Sequence, residues 1–189
     1  MLKIPAGVSN KHVHLSEKDL AILFGPNYQL THFKDLGQPG QFASEEKVDL
    51  IGPKGTISNV RVLGPTRGQT QVEISRTDSF KLGLNPPVRD SGDVKGSEPI
   101  TIKGPEGSID LKEGVIIAKR HIHITPDLAE KYGLKDKQMI EVSCTGPRAL
   151  TFGQVLVRVS ENFRLEFHVD IDEANAAFLK NDDIVVANI

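Results

Sequence analysis

The chain has almost no cysteine: Cys144 stands alone among 189 residues. An internal disulfide is therefore excluded, and a lone thiol suits a reducing cytoplasm. Long apolar runs are missing as well. None approaches the roughly 18 residues of a spanning helix, so no membrane is expected as a partner. The opening Met1-Leu2-Lys3-Ile4-Pro5-Ala6 is too short and too polar for a signal peptide. Neither sign of charge dominates. A formal net charge of −2 argues against a polyanion-binding surface, so nucleic acid is not an expected partner either.

What is present in quantity is turn chemistry. The 17 glycines and 11 prolines fall in short clusters, among them Gly52-Pro53-Lys54-Gly55, Gly64-Pro65, Gly104-Pro105-Glu106-Gly107 and Gly146-Pro147. Short alternating or β-branched runs lie between them. Many short strands and frequent turns predict a mainly β protein, a barrel or a sandwich. The length allows one domain or two small ones.

Four of the six histidines sit in two matching stretches, Lys11-His12-Val13-His14-Leu15-Ser16 and Arg120-His121-Ile122-His123-Ile124-Thr125, 109 positions apart. Residues i and i+2 of a strand face the same way. Each His-x-His is thus a two-toothed clamp for a metal ion.

Along the chain, Lys3 to Ser9 reads as a lead-in strand and Val8 to Leu15 as the strand of the first clamp. Ser16 then caps a helix with Asp19 three residues on, and Gly25-Pro26 stops it. Tyr28 to Glu46 reads as irregular, Lys47 to Ile51, Thr56 to Leu63 and Gln69 to Ser75 as strands, and Asn85 to Gly96 as a loop. Short strands follow at Ile100 to Lys103, Gly107 to Leu111 and Val115 to Ala118. The second clamp lies in Ile116 to Ile124. Thr125 and Pro126 open another helix, which ends at Gly133. Strands at Met139 to Cys144, Leu150 to Val159, Phe163 to Val169 and Asp183 to Ala187, with a helix at Asp172 to Leu179, complete the reading.

The two halves repeat: clamp strand, short capped helix, then strands. Val60-Arg61-Val62-Leu63 falls opposite Val155-Leu156-Val157-Arg158, and Gln71-Val72-Glu73-Ile74-Ser75 opposite Glu166-Phe167-His168-Val169-Asp170. Glu73 and His168 are then equivalent. Each half carries two histidines and a third ligand-type residue, His12, His14 and Glu73 in one, His121, His123 and His168 in the other. A solitary His-x-His is most simply a half-buried strand with two polar residues facing water. A duplicated pair, each with a third partner, points to metal. Three ligands with an open position is the catalytic pattern, and both sets suit Zn2+, with cobalt, nickel or manganese as other divalent transition metals. His32 has no partner in the repeat and reads as a surface residue. Cys144 reads as a half-buried strand residue with no base beside it to activate a nucleophile. Arg67, on the turn leading to Glu73, reads either as a surface turn residue or as an anion holder, and Arg is the residue for bidentate phosphate or carboxylate recognition. Lys34, Arg61, Arg89 and Lys95 add positive charge.

These stretches together resemble the PduL-type phosphotransacylases, the phosphate propanoyltransferases. The resemblance runs through Ser9 to Ser16, Gly40 to Val48, Arg61 to Asp78, Asn85 to Asp93, Ala118 to His123 and Phe167 to Ala176. It implies a mainly β fold of two packed β-barrels with short flanking α-helices and a pseudo-twofold internal repeat. The barrels would be interleaved in sequence, the first at 11–118 and the second at 1–10 plus 119–189. It implies a dinuclear zinc site on the two ligand sets, Arg67 as the phosphate-holding catalytic residue, and a coenzyme A groove on Ser9, Lys34, Arg61, Leu63 and Asn175. Family members sent to bacterial microcompartments carry an N-terminal extension. With a clamp beginning at Lys11 there is no room for one, so either this is a cytoplasmic member or an extension has been removed. A homodimer is expected, and within a microcompartment the partners would be shell or core enzymes of propanediol degradation.

The implied reaction is acyl-CoA plus phosphate to acyl phosphate plus CoA, with propanoyl-CoA or acetyl-CoA as substrate, acetyl phosphate as one product, and no covalent acyl-enzyme. Two rivals use the same residues. A two-metal hydrolase would return only hydrolysis products from acetyl phosphate and CoA. A non-enzymatic metal-stabilised protein would show saturated coordination and no CoA binding.

Overall fold

The computed structural model describes residues 1–189. The chain divides into two compact units, one made of Met1–Asn10, Gly37–Pro39 and Lys119–Ile189, the other of Lys11–Leu36 and Gly40–Ala118. Each is built round a closed ring of six strands.

In the second of these units the ring runs β4 (Phe42–Ile51), β5 (Thr56–Arg67), β2 (His12–Ser16), β6 (Gln71–Glu73), β9 (Ser108–Ala118) and β8 (Glu98–Lys103), which pairs back onto β4. The short strands β3 (His32–Asp35) and β7 (Val88–Arg89) pair outside the ring with the start of β4 and the end of β9. In the other unit the ring is β1 (Leu2–Ser9), β13 (Glu166–Asp170), β10 (His121–Ile124), β12 (Leu150–Val159), β11 (Met139–Cys144) and β14 (Ile184–Asn188). The strand directions match. Each clamp strand lies between a parallel neighbour, β5 or β12, and an antiparallel one, β6 or β13. Each ring closes through a second parallel pair, β6 with β9 or β13 with β1.

Closure leaves no free edge in either ring and turns alternate side chains inward. Val13, Leu15, Leu50, Val62 and Ile102 form the core of one barrel, and Ile4, Ile122, Val157, Phe167 and Val185 that of the other. The clamp strands serve both purposes. Val13 and Ile122 fill the cores while the flanking histidines point to the opposite face.

Four short helices cover barrel ends. α1 (Glu17–Phe24) begins at Ser16, whose side chain accepts from the Asp19 amide at 3.1 Å, and packs Leu20, Leu23 and Phe24 inward. α2 (Arg76–Leu82) repeats the device with Ser75 and Asp78, and closes on Gly83 at φ 76, a left-handed cap that favours glycine. α3 (Pro126–Lys131) has Pro at its first turn. Thr125 bonds Asp127 there and makes no side-chain cap bond to the backbone. α4 (Ile171–Ala177) is held by a capping box between Asp170 and Glu173.

The local expectations differ from this in five places. Val8 to Leu15 is not one strand: the chain breaks at Asn10-Lys11, with β1 in one unit and β2 in the other. The same break parts β9 from β10 at Lys119-Arg120. Val115 to Ala118 is not separate from the strand before it, because β9 runs unbroken through Gly114. The stretch read as irregular contains β3 and the start of β4, and α2 was not expected, although Ser75 with Asp78 three residues on is a cap signature.

Candidate metal centres

Register sets both ligand groups. Across β2 and β6, His12 faces Glu73 and His14 faces Gln71. Across β10 and β13, His121 faces His168 and His123 faces Glu166. Directly opposed residues share a face and stand near enough to touch. The third ligand-type residue is therefore brought to the first histidine of each clamp by strand pairing alone. The candidate donor atoms of His12, His14 and Glu73 all lie within 4.8 Å of one another, and so do those of His121, His123 and His168.

The spacing fits a metal ion. Two zinc ligands at about 2.0–2.1 Å in tetrahedral array stand about 3.4 Å apart. His12 Nε2 and Glu73 Oε2 are 3.5 Å apart. The clamp rings sit edge to face, with centroids 5.0 Å apart for His12 and His14 and 4.6 Å for His121 and His123. His14 Nδ1 and His123 Nδ1, the same position in the two repeats, are buried without a hydrogen-bond partner. An unsatisfied buried polar atom costs about 1–3 kcal/mol, and a cation at each cluster would offset it.

The electrostatics hold the imidazoles ready to ligate. Burial lowers the His14 pKa to about 2, helped by the charges of His12 and Arg67. Burial also lowers His123 to about 2, with His121, His168 and Arg158 adding to it. Both rings are neutral at physiological pH and keep a lone pair for a metal. Burial pushes the Glu73 carboxyl up, but the charge and hydrogen bond of His12, then His14 and Ser91, outweigh it and hold it well below the carboxylate range. With every imidazole in the neutral form that binds metal, the first set would carry the one negative charge of Glu73 and the second none.

Around each third ligand stands a ring of hydrogen bonds. Ser91 Oγ donates to Glu73 Oε1 at 2.8 Å, and Gln71 Nε2 donates to the same oxygen at 2.6 Å. Arg67 Nη1 donates to Ser91 Oγ at 3.3 Å. The sequence-predicted anion holder is thus one hydroxyl from the sequence-predicted ligand. In the other unit His121 Nδ1 is 2.7 Å from the Lys119 carbonyl, which can only accept. That bond fixes the tautomer with the lone pair on Nε2. His168 Nε2 is 2.6 Å from Glu166 Oε2. Burial pushes Glu166 up, and hydrogen bonds from His168 and Gln38 outweigh it and hold its carboxyl below the usual range.

The residues expected to line a coenzyme A groove fall in both units. Lys34, Ala43, Leu63 and His14 form one cross-strand row over β3, β4, β5 and β2. Arg61 faces His12 across β2 and β5, donates to the Ser44 carbonyl and lies over the Phe33 ring at 4.7 Å. Ser9 ends β1 opposite Asp170. Asn175 is exposed on α4. His32 is exposed, 2.8 Å from Asp35 Oδ1. Cys144 is buried, more deeply than its alternating strand suggests, and its thiol meets the Leu150 carbonyl.

Sequence reasoning did not single out Gln71, Ser91, Gln38 or Glu166. Gln71 and Glu166 carried a usable signal, since each lies two residues before a third ligand and so on its face. Ser91 and Gln38 come from loops that no periodicity marks.

Each barrel gathers three side chains that could hold a metal ion, and three protein ligands are the number found at catalytic zinc sites. The profile of the phosphate propanoyltransferase family matches residues 5–180. A phosphate propanoyltransferase of Thermotoga maritima is 60% identical over 183 residues, covering 96% of this chain and 87% of that protein. One of Priestia megaterium is 54% identical over 186 residues, 98% and 86% of the two chains, and one of Clostridioides difficile 51% over 173 residues, 92% and 83%. The chain belongs to the phosphate propanoyltransferase family of acyl-transferring enzymes. No helix is long and apolar enough to cross a membrane.

Proposed function

We propose that this protein interconverts a short-chain acyl-CoA and phosphate with an acyl phosphate and CoA, at a dinuclear zinc centre and without a covalent acyl-enzyme. The observation that carries the reading is the duplicated ligand geometry, His12 with Glu73 and His121 with His168 at matching register, with Arg67 one hydroxyl from Glu73. The six ligands would hold two Zn2+, one on each set. Bound zinc would supply Lewis-acid polarisation of the acyl carbonyl and a soft partner for the departing thiolate.

The chain's own residues do the rest. Arg67, steadied by Ser91, orients phosphate so that one of its oxygens attacks the thioester carbon. The carbon–oxygen bond forms, the carbon–sulfur bond breaks, and CoA leaves with the sulfur. Propanoyl-CoA and acetyl-CoA are the proposed substrates. Leu63 and Lys34 lie along the row that leads outward from His14, a path suited to the coenzyme arm, with Arg61, Ser9 and Asn175 as its further contacts. No nucleophile is required of the protein, and buried Cys144 has no role. A homodimer in the cytoplasm or a microcompartment belongs to the same reading, on family resemblance alone.

The test is propanoyl phosphate mixed with CoA. Formation of propanoyl-CoA with a sequential rate pattern supports the proposal. Phosphate release alone identifies a hydrolase, and ping-pong kinetics with label retained on the chain identifies an acyl-enzyme.

A further inference from the structure

Glu166 lies against the second ligand set and has no part in the reading above. Its side chain leaves β13 and passes over two glycines. A Cβ at Gly7 would stand 2.7 Å from its carboxylate, and one at Gly37 would collide with both of its oxygens. Gln38, buried at 4% exposure, holds it from the other side. Its Nε2 donates to Glu166 Oε2 at 2.7 Å and to the Arg164 carbonyl at 3.0 Å, while its Oε1 accepts from the Arg164 amide at 3.1 Å. The carboxylate is thus confined to one place, where Oε2 meets His168 Nε2 at 2.6 Å. A carboxylate in that contact accepts, so His168 donates through Nε2 and its lone pair is on Nδ1. Glu166 itself stays outside the group of donor atoms gathered within 4.8 Å.

Resting on the two-metal reading, we infer that Glu166 is a positioning residue for the second metal: it accepts the Nε2–H of His168, turns Nδ1 to the ion, and is held in place by Gln38, Gly7 and Gly37. A ligating histidine that donates its other ring N–H to a carboxylate is fixed in tautomer and orientation and gains basicity. The first barrel cannot do the same, because the residue facing its second histidine is Gln71, which instead bonds the ligand Glu73.

The experiment is zinc release from the purified holoprotein to a chromogenic chelator, for wild type, Glu166→Ala, Glu166→Gln, Gly37→Ala and His121→Ala. Wild type should release two zinc ions per chain. Glu166→Ala and Gly37→Ala should weaken one of them about 10–100-fold and leave the other unchanged. The weakened ion should be the one His121→Ala removes. Glu166→Gln should weaken it less, since the amide oxygen still accepts. Gly37→Ala keeps every hydrogen-bonding group and only displaces the carboxylate, so it carries the test if Glu166→Ala does not fold. Two ions of unchanged affinity in all the Glu166 and Gly37 variants would overturn the inference, and so would equal weakening of both. A wild-type protein that binds no zinc would overturn the two-metal reading instead.

Discussion

On β6 the carboxylate is a ligand and an amide stands two residues before it. On β13 the carboxylate has moved to that earlier position and an imidazole has taken the ligand place. Gln71 with Glu73 and Glu166 with His168 are thus the same pair of strand positions filled in different ways. Each site keeps one carboxylate on the shared face. In the first it belongs to the ligand set, while in the second it stands behind a ligand and the set is imidazole alone. Duplication preserved the geometry, which register enforces, and left the side-chain chemistry free to diverge. Two ions in such sites would differ in Lewis acidity, which suits the two unlike tasks of the proposed reaction, activating a carbonyl and receiving a thiolate.

The largest effect should come from the residue that the halves do not share. Arg67 ends β5 beside the first set, and the proposed reaction assigns no anion holder to the second. Arg67→Ala should lower turnover by about 10²–10³ while zinc content and thermal unfolding stay as in wild type. Steady-state rates and elemental analysis on one preparation check this, and near-normal turnover would remove Arg67 from the mechanism.

A smaller effect tests whether the two chemistries are interchangeable. Glu73→His alone leaves three imidazoles backed by Gln71, and should lower zinc affinity at the first set about 10–100-fold. Adding Gln71→Glu rewrites that set as a copy of the second and should recover part of the loss. Chelator competition reads both. No recovery would show that the outer carboxylate works only in its own barrel.

The smallest contrast is in pH dependence. Burial pushes the Glu46 carboxyl up, but the Thr31 amide, at 3.0 and 3.1 Å from its two oxygens, outweighs it and holds it below the usual range. A lowered folded value means stability that is present above the ordinary carboxylate range and lost as pH falls. Glu46→Gln should therefore cost about 1.5 kcal/mol at pH 7 and progressively less toward pH 3 in urea melts. Glu173, in the other unit, is raised by burial and then by Asp170. Its contribution is present at low pH and lost as pH rises, so Glu173→Gln should gain on wild type with rising pH. The same sign in both variants would contradict the assigned causes.

Much of this was legible in the chain. The His-x-His clamps, the equivalence of Glu73 with His168 and the mainly β class follow from period-two geometry and a repeat, and both are local or comparative signals. What stayed hidden needed tertiary context. No local signal near Asn10-Lys11 or Lys119-Arg120 says that the strand before each clamp belongs to the other unit, and only the family resemblance implied it. β3 has no apolar periodicity, because all four of its residues are exposed. Gln38 acts through a three-residue segment that joins the other unit, and Ser91 through a loop rich in turn residues.

The central claim is that each barrel holds its own ion on its own three residues. Zinc per chain, measured on wild type, His12→Ala, His121→Ala and the double variant, tests it most directly. The account predicts two, one, one and none. An unchanged count in either single variant, or the loss of both ions in one of them, would contradict it.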